Sequence, residues 1–143
     1  MPRVLIHFFH EDISYTLKQK SKVREWISST IKEEGDKLKE LNFIFCSDDY
    51  LLKINQEYLK HDTYTDIITF DNSEKEGEIN GDIYISIERV SENAKNFNTS
   101  EINELHRVII HGTLHLLGYL DKSKKDKVLM TEKEDFYLHK RQF

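Results

Sequence analysis

His111 and His115 stand four residues apart in the segment HGTLHLLGYLD, residues 111 to 121. On a helix that spacing puts both imidazoles on one face, where they can converge on a single ion. Asp121 follows six residues after His115, beyond a glycine at position 118 that lets the chain turn back, so its carboxylate could reach the same ion. A set of two histidines and one aspartate leaves a fourth position for water, the arrangement of a catalytic zinc rather than a structural one. Bound zinc lowers the pKa of that water to about 7. The same residues also read as ordinary parts of a fold, two hydrogen-bonded core histidines and a loop carboxylate. Spacing alone leaves both readings open. Gly112 occupies the place where the zinc-peptidase motif carries its glutamate base, which counts against peptidase chemistry of that kind. A glycine there suits either close helix packing or room for substrate beside the ion.

The elements that must hold these residues are legible as patterns. Ser100 suits a helix N-cap, with Glu101 and Glu104 at its positive end, and the helix runs to Leu117. Ile102, Leu105, Ile109 and Leu116 form one stripe, the histidines lie roughly opposite, and Ile110, Leu114 and Leu117 fill much of the rest. A helix end so apolar all round is a buried one. Upstream, alternation predicts strands over 3–9, Leu41 to Cys46, Asp66 to Asp71 and Asp82 to Ile87, with a loop from Asn72 to Gly81. Helical spacing predicts helices from Lys22 to Glu34, from a Ser47 or Asp48 cap through Tyr58, from Glu88 to Phe97, and over about 124–140. The expected architecture is α+β: a four-stranded mixed sheet with about five helices, the metal site at the end of a buried helix, and one domain over 1–143.

Composition narrows the function. The chain has 143 residues, 21 Lys plus Arg against 26 Asp plus Glu, and a formal net charge of −5. Gripping nucleic acid through bulk positive charge is therefore excluded, and such a role needs a local basic patch. One cysteine, Cys46, rules out an internal disulfide and multi-cysteine zinc sites. The longest apolar stretches are four or five residues, so no membrane span is expected. The start, Met1-Pro2-Arg3-Val4, carries no secretory apolar region, and a cytoplasmic location is expected.

Three ordered segments carry a resemblance. His111 to Tyr119, followed by a possible ligand, resembles the H-G-x-L-H-L-x-G-Y-D-H pattern of the YbeY family of bacterial metal-dependent endoribonucleases. Thr65-Asp66-Ile67-Ile68-Thr69-Phe70 resembles that family's T-D-V-L-S-F strand, Gly81-Asp82-Ile83-Tyr84-Ile85-Ser86 its G-D-I-x-I-S strand, and Asn55 and Tyr58 match the segment before them. The resemblance implies single-strand-selective RNA cleavage in ribosomal RNA maturation, near the 3′ end of the small-subunit RNA, and a part in ribosome quality control. Ribosomal RNA and the small ribosomal subunit are the implied partners and Zn2+ the implied cofactor. His111 and His115 match two metal ligands, and Asp121 stands where the family usually has a third histidine, so the expected catalytic and metal set is His111, His115 and Asp121. An anionic, harder ligand predicts a slightly less acidic bound water and a weaker bias towards zinc over other divalent ions. Leu59 stands where the family usually has an arginine implicated in RNA cleavage; Lys60 and His61 follow it as possible phosphate contacts, as do Lys122 and Lys124 after Asp121. Two other readings use the same residues: a metallohydrolase of peptides or small substrates, and a non-catalytic ribosome-assembly factor whose metal only staples the fold.

Overall fold

The computed structural model describes residues 4–61 and 63–143. Its elements run β1 (Ile6–His10), α1 (Lys20–Glu33), β2 (Lys37–Cys46), α2 (Asp48–Tyr58), β3 (Ile67–Asp71), β4 (Glu78–Ser86), α3 (Ile87–Asn96), α4 (Glu101–Leu116) and α5 (Lys124–His139). The strands form one sheet in the order β1-β2-β4-β3. β1 and β4 each pair parallel with β2, with Ile6 opposite Leu41 and Phe43 opposite Ile83. β3 pairs antiparallel with β4, with Thr69 opposite Ile83. The fold is therefore the expected α+β arrangement with a mixed sheet.

Alternation along the strands divides the interior into two layers. Phe43 and Phe45 of β2 and Ile83 and Ile85 of β4 are buried with Val23, Ile27 and Ile31 of α1 and with Leu105, Ile109 and Leu114 of α4. Met130, Tyr137 and Leu138 of α5 close that layer. On the opposite face α2 packs Leu51 and Ile54 on Cys46 and Ile68, with Phe70 and Tyr84 beside them. Cys46 is a core residue whose thiol is pushed up to about 12, by burial first and then by nearby carboxylates. Serine caps set the helix starts: Ser47, Ser86, Ser100 and Ser123 each accept a backbone N–H from three residues on, and Ser123 forms a capping box with Asp126.

Several boundaries differ from the sequence pattern, each for a pairing reason. β2 begins at Lys37 and β4 at Glu78 because those residues pair with each other, which draws the end of the expected 72–81 loop into the sheet. Ser86, the last residue of β4, also caps α3, so Ile87 is the first helical residue rather than the last strand residue. β1 starts at Ile6, where pairing with β2 starts; Val4 is exposed, and Arg3 lies outside the described residues. Ile102, expected on the buried stripe of α4, is 40% exposed in the helix's first turn, and the buried stripe begins at Leu105.

Candidate metal centre

α4 crosses the inner face of the sheet so closely that a side chain at Gly112 would have to displace isoleucine side chains of the sheet. A Cβ there would lie 2.7 Å from Ile67 Cδ1 and 3.1 Å from two carbons of Ile83. The packing reading of this glycine therefore holds, since the space a Cβ would fill belongs to the sheet. The adjacent face of the helix, carrying His111 and His115, looks instead into a cleft of about 550 Å³ bounded by β3, the end of α2 and α5. After Leu116 the chain reverses at Gly118, whose φ of +107° lies in the region that favours glycine. That turn brings Asp121 over the histidines.

Asp121 Oδ2 lies 3.3 Å from His111 Nε2, and Asp121 Oδ1 lies 3.6 Å from His115 Nε2. One ligand atom from each of the three residues lies within 4.8 Å of the other two. A tetrahedral ion with bonds of about 2.0–2.1 Å sets its ligands roughly 3.3 Å apart, so the three residues fit a divalent metal. The donor chemistry agrees. His111 Nδ1 donates to Glu134 Oε2 at 2.6 Å, and His115 Nδ1 donates to the Tyr119 carbonyl at 2.9 Å. Each bond fixes the tautomer that leaves Nε2 bare towards Asp121, which is how ligating histidines are commonly oriented. The histidine side chains are 21% and 30% exposed, so an ion held there meets both protein and solvent.

Both Nδ1 partners are themselves anchored. Glu134, on α5, gives its other oxygen to Arg107 Nη1 at 2.8 Å, and Arg107 Nη2 donates to Asp135 at 2.6 Å. Tyr119 is held through its hydroxyl, which donates to Glu34 Oε1 at 2.5 Å; Tyr137 and Lys133 donate to the second oxygen of Glu34. Glu34 caps the end of α1, so one carboxylate ties α1, the Asp121 loop and α5 together. Burial opposes charge on His111, but the bond and charge of Glu134, with Asp121 and Asp66 behind, hold its pKa above the ordinary histidine value. Asp66 and Glu104 also line the cleft; burial raises both carboxyls, with the His111 charge working against the rise at Asp66.

The other residues marked in the sequence fall in different places. His61 and Leu59 line the cleft, whereas Lys60, Lys122 and Lys124 are exposed and do not line it. Lys124 borders a separate surface hollow with Val128 and Leu129. Asp66 reaches the cleft, while Asp82 is tied to Asn42 and Asn72 on the α2 side of the sheet. Glu134 and Arg107 carry no mark in the sequence reading, and Glu104 is read there only as a charge at the positive end of its helix. Glu104 and Arg107 precede His111 by seven and four residues, a helical repeat that marks one face. Nothing local marks Glu134, one of many charged residues along α5.

A family model described as endoribonuclease YbeY matches residues 6–142. The chain belongs to the YbeY family. Among YbeY proteins, the endoribonuclease YbeY of Cytophaga hutchinsonii is 52% identical over 143 residues, covering the whole of both chains. That of Amoebophilus asiaticus is 47% identical over 138 residues, 96% of this chain and 94% of the relative. The solution structure of TM1509 from Thermotoga maritima superposes with a TM-score of 0.65 at 32% identity, covering 94% of this chain and 87% of that one. No helix among the described residues of this YbeY chain is long and apolar enough to cross a membrane.

Proposed function

We propose that this protein is a metal-dependent endoribonuclease that cuts single-stranded RNA during ribosomal RNA maturation, acting near the 3′ end of the small-subunit RNA and in ribosome quality control. The observation that carries the reading is the convergence of His111, His115 and Asp121 in an open cleft, both histidines presenting a bare Nε2. His111, His115 and Asp121 would hold the ion, with zinc the preferred occupant by donor type. When bound, the ion supplies Lewis acidity towards a phosphoryl oxygen and a position for the nucleophile. Glu134 and the Tyr119 carbonyl keep the two rings aimed. The carboxyls of Asp66 and Glu104, favoured in their protonated form by burial, are the cleft groups suited to moving a proton. His61 stands at the mouth of the cleft to meet a phosphate, and exposed Lys60, Lys122 and Lys124 serve flanking nucleotides. The setting is cytoplasmic, with the small ribosomal subunit as partner.

The test is cleavage of a labelled single-stranded RNA by purified protein, with and without chelator, beside His111→Ala prepared identically. Cutting that vanishes with chelator and with the variant, while circular dichroism shows the fold intact, supports the reading. Equal cutting in every lane, or no cutting of free or ribosome-bound RNA, defeats it. Products ending in 2′,3′-cyclic phosphate would assign the attack to the RNA's own 2′-hydroxyl rather than to water.

A further inference from the structure

The cleft poses an electrostatic problem for the substrate just proposed. Its lining contains the carboxylates Asp66, Glu104, Asp121 and Glu134, and among the described residues Arg107 is the one lysine or arginine on its wall. Imidazoles are the remaining source of positive charge. Leu59, on the same wall, contributes none. A phosphodiester entering this space meets a permanent cation at Arg107 or meets carboxylates.

The guanidinium is also placed for the task. Arg107 lies one helical turn before His111 on the same face of α4, and its side chain is 32% exposed. Glu134 bridges the two functions: one of its oxygens accepts from Arg107 Nη1 and the other from His111 Nδ1. Arg107 is therefore fixed in position relative to the ligand ring. Its second arm is pinned by Asp135. Among the described residues two of the five guanidinium N–H groups are used in this way, which leaves three for an incoming oxyanion. A fork already ordered by two carboxylates gives up little side-chain freedom when it takes a third partner.

We infer that Arg107 is the residue of this cleft that contacts the substrate phosphate, beyond its bond to Glu134. This inference rests on the RNA-cleaving reading above for its substrate. The competing account makes Arg107 only a clamp on Glu134, acting through His111.

Binding of a fluorescent single-stranded oligoribonucleotide, measured with chelator present, separates the two because no metal takes part. The variants are Arg107→Gln, Arg107→Lys, Glu134→Gln, and Arg107→Gln combined with Leu59→Arg. Loss of one charged phosphate contact predicts about tenfold weaker binding for Arg107→Gln and a salt-dependence slope smaller by about 0.7. Arg107→Lys keeps the salt slope. The Leu59→Arg combination recovers affinity by returning a guanidinium to the same cleft. Glu134→Gln, which removes one of the two carboxylates ordering the fork but keeps the fork's charge, weakens RNA binding less than Arg107→Gln does while also weakening metal binding. Wild-type RNA affinity and slope in Arg107→Gln would overturn the inference, as would an RNA-binding loss in Glu134→Gln equal to that in Arg107→Gln. If the wild type binds RNA in an Arg107-dependent way yet never cleaves it, the contact stands and the nuclease reading fails. If it neither binds nor cleaves RNA, both fall.

Discussion

α4 carries two histidines five residues apart that have opposite fates. His106 is 4% exposed, packed between the rings of Trp26 and Phe143, and accepts from Arg141 Nη1 at 2.7 Å through Nδ1. Its Nε2 has no hydrogen-bond partner among the described residues. Burial, with the Arg141 charge beside it, pushes its pKa down to about 4. His111, on the cleft side, keeps carboxylates for neighbours, and its pKa moves the other way. A histidine between aromatic rings and an arginine is held neutral and inert. One between Glu134 and Asp121 is held in a fixed tautomer and can be charged or bind a metal. Residue type is the same in both cases, and the partner supplied by α5 or by the C-terminal segment makes the difference.

The strongest way to break this comparison is to remove one histidine at a time. His111→Ala takes away one of the three proposed ligands. Zinc sites are worth about 10–16 kcal/mol over some four ligands, so affinity should fall roughly a hundredfold to a thousandfold, read by competition with a chromophoric chelator. His106→Gln should leave metal affinity unchanged; a comparable loss there would erase the distinction between the two sides of α4.

A pH titration sharpens the contrast. With His106 near about 4 in the fold and about 6.5 unfolded, the unfolded chain binds the proton first. Wild-type stability contributed by this ring should be complete above pH ~6.5 and fall, by at most about 3 kcal/mol, as pH drops towards 4. His106→Gln should lack that component in urea unfolding measured across the same range. In metal-free protein the His111 contribution has the opposite sign, present at low pH and lost as pH rises through its elevated pKa. An identical pH profile for His106→Gln and wild type would refute the first assignment.

The supports of His111 and His115, the proposed ligands, should differ in turn. Glu134→Gln weakens the carboxylate that orients His111, and metal affinity should drop by about 10–100-fold. Tyr119→Phe removes the hydroxyl bond to Glu34 but keeps the backbone carbonyl on His115. The expected cost is about 1–2 kcal/mol of fold stability with a metal-affinity change below about tenfold. A larger metal loss in Tyr119→Phe than in Glu134→Gln would reverse the ranking of the two supports.

Much of this was readable before any coordinates. The i, i+4 histidine pair, Gly118 and Asp121 lie within eleven residues, so local geometry was enough to bring the three side chains near one another. The α+β class and the caps at Ser47 and Ser100 were equally local, because strand alternation and cap chemistry act over a few residues. Ser86, by contrast, reads as strand, and the Ser123 cap goes unread. The errors sat where one element meets another. The start of β4 depends on Lys37 finding Glu78, and Ile102 faces outward from the first turn of α4 while Glu104, two residues on, is buried.

By itself, then, the sequence determined the His111, His115 and Asp121 group and the helix that presents its histidines, since a helical repeat fixes direction regardless of surroundings. Tertiary structure alone decided which groups complete that set. Glu134 reaches His111 from 23 residues away, and Glu34 anchors Tyr119 across 85. Those pairings depend on the angles at which α1, α4 and α5 pack, which no local pattern encodes. The same packing buried one histidine of α4 among aromatic rings, turned another towards Asp121 in a group that could hold a metal, and placed Arg107 on the cleft wall.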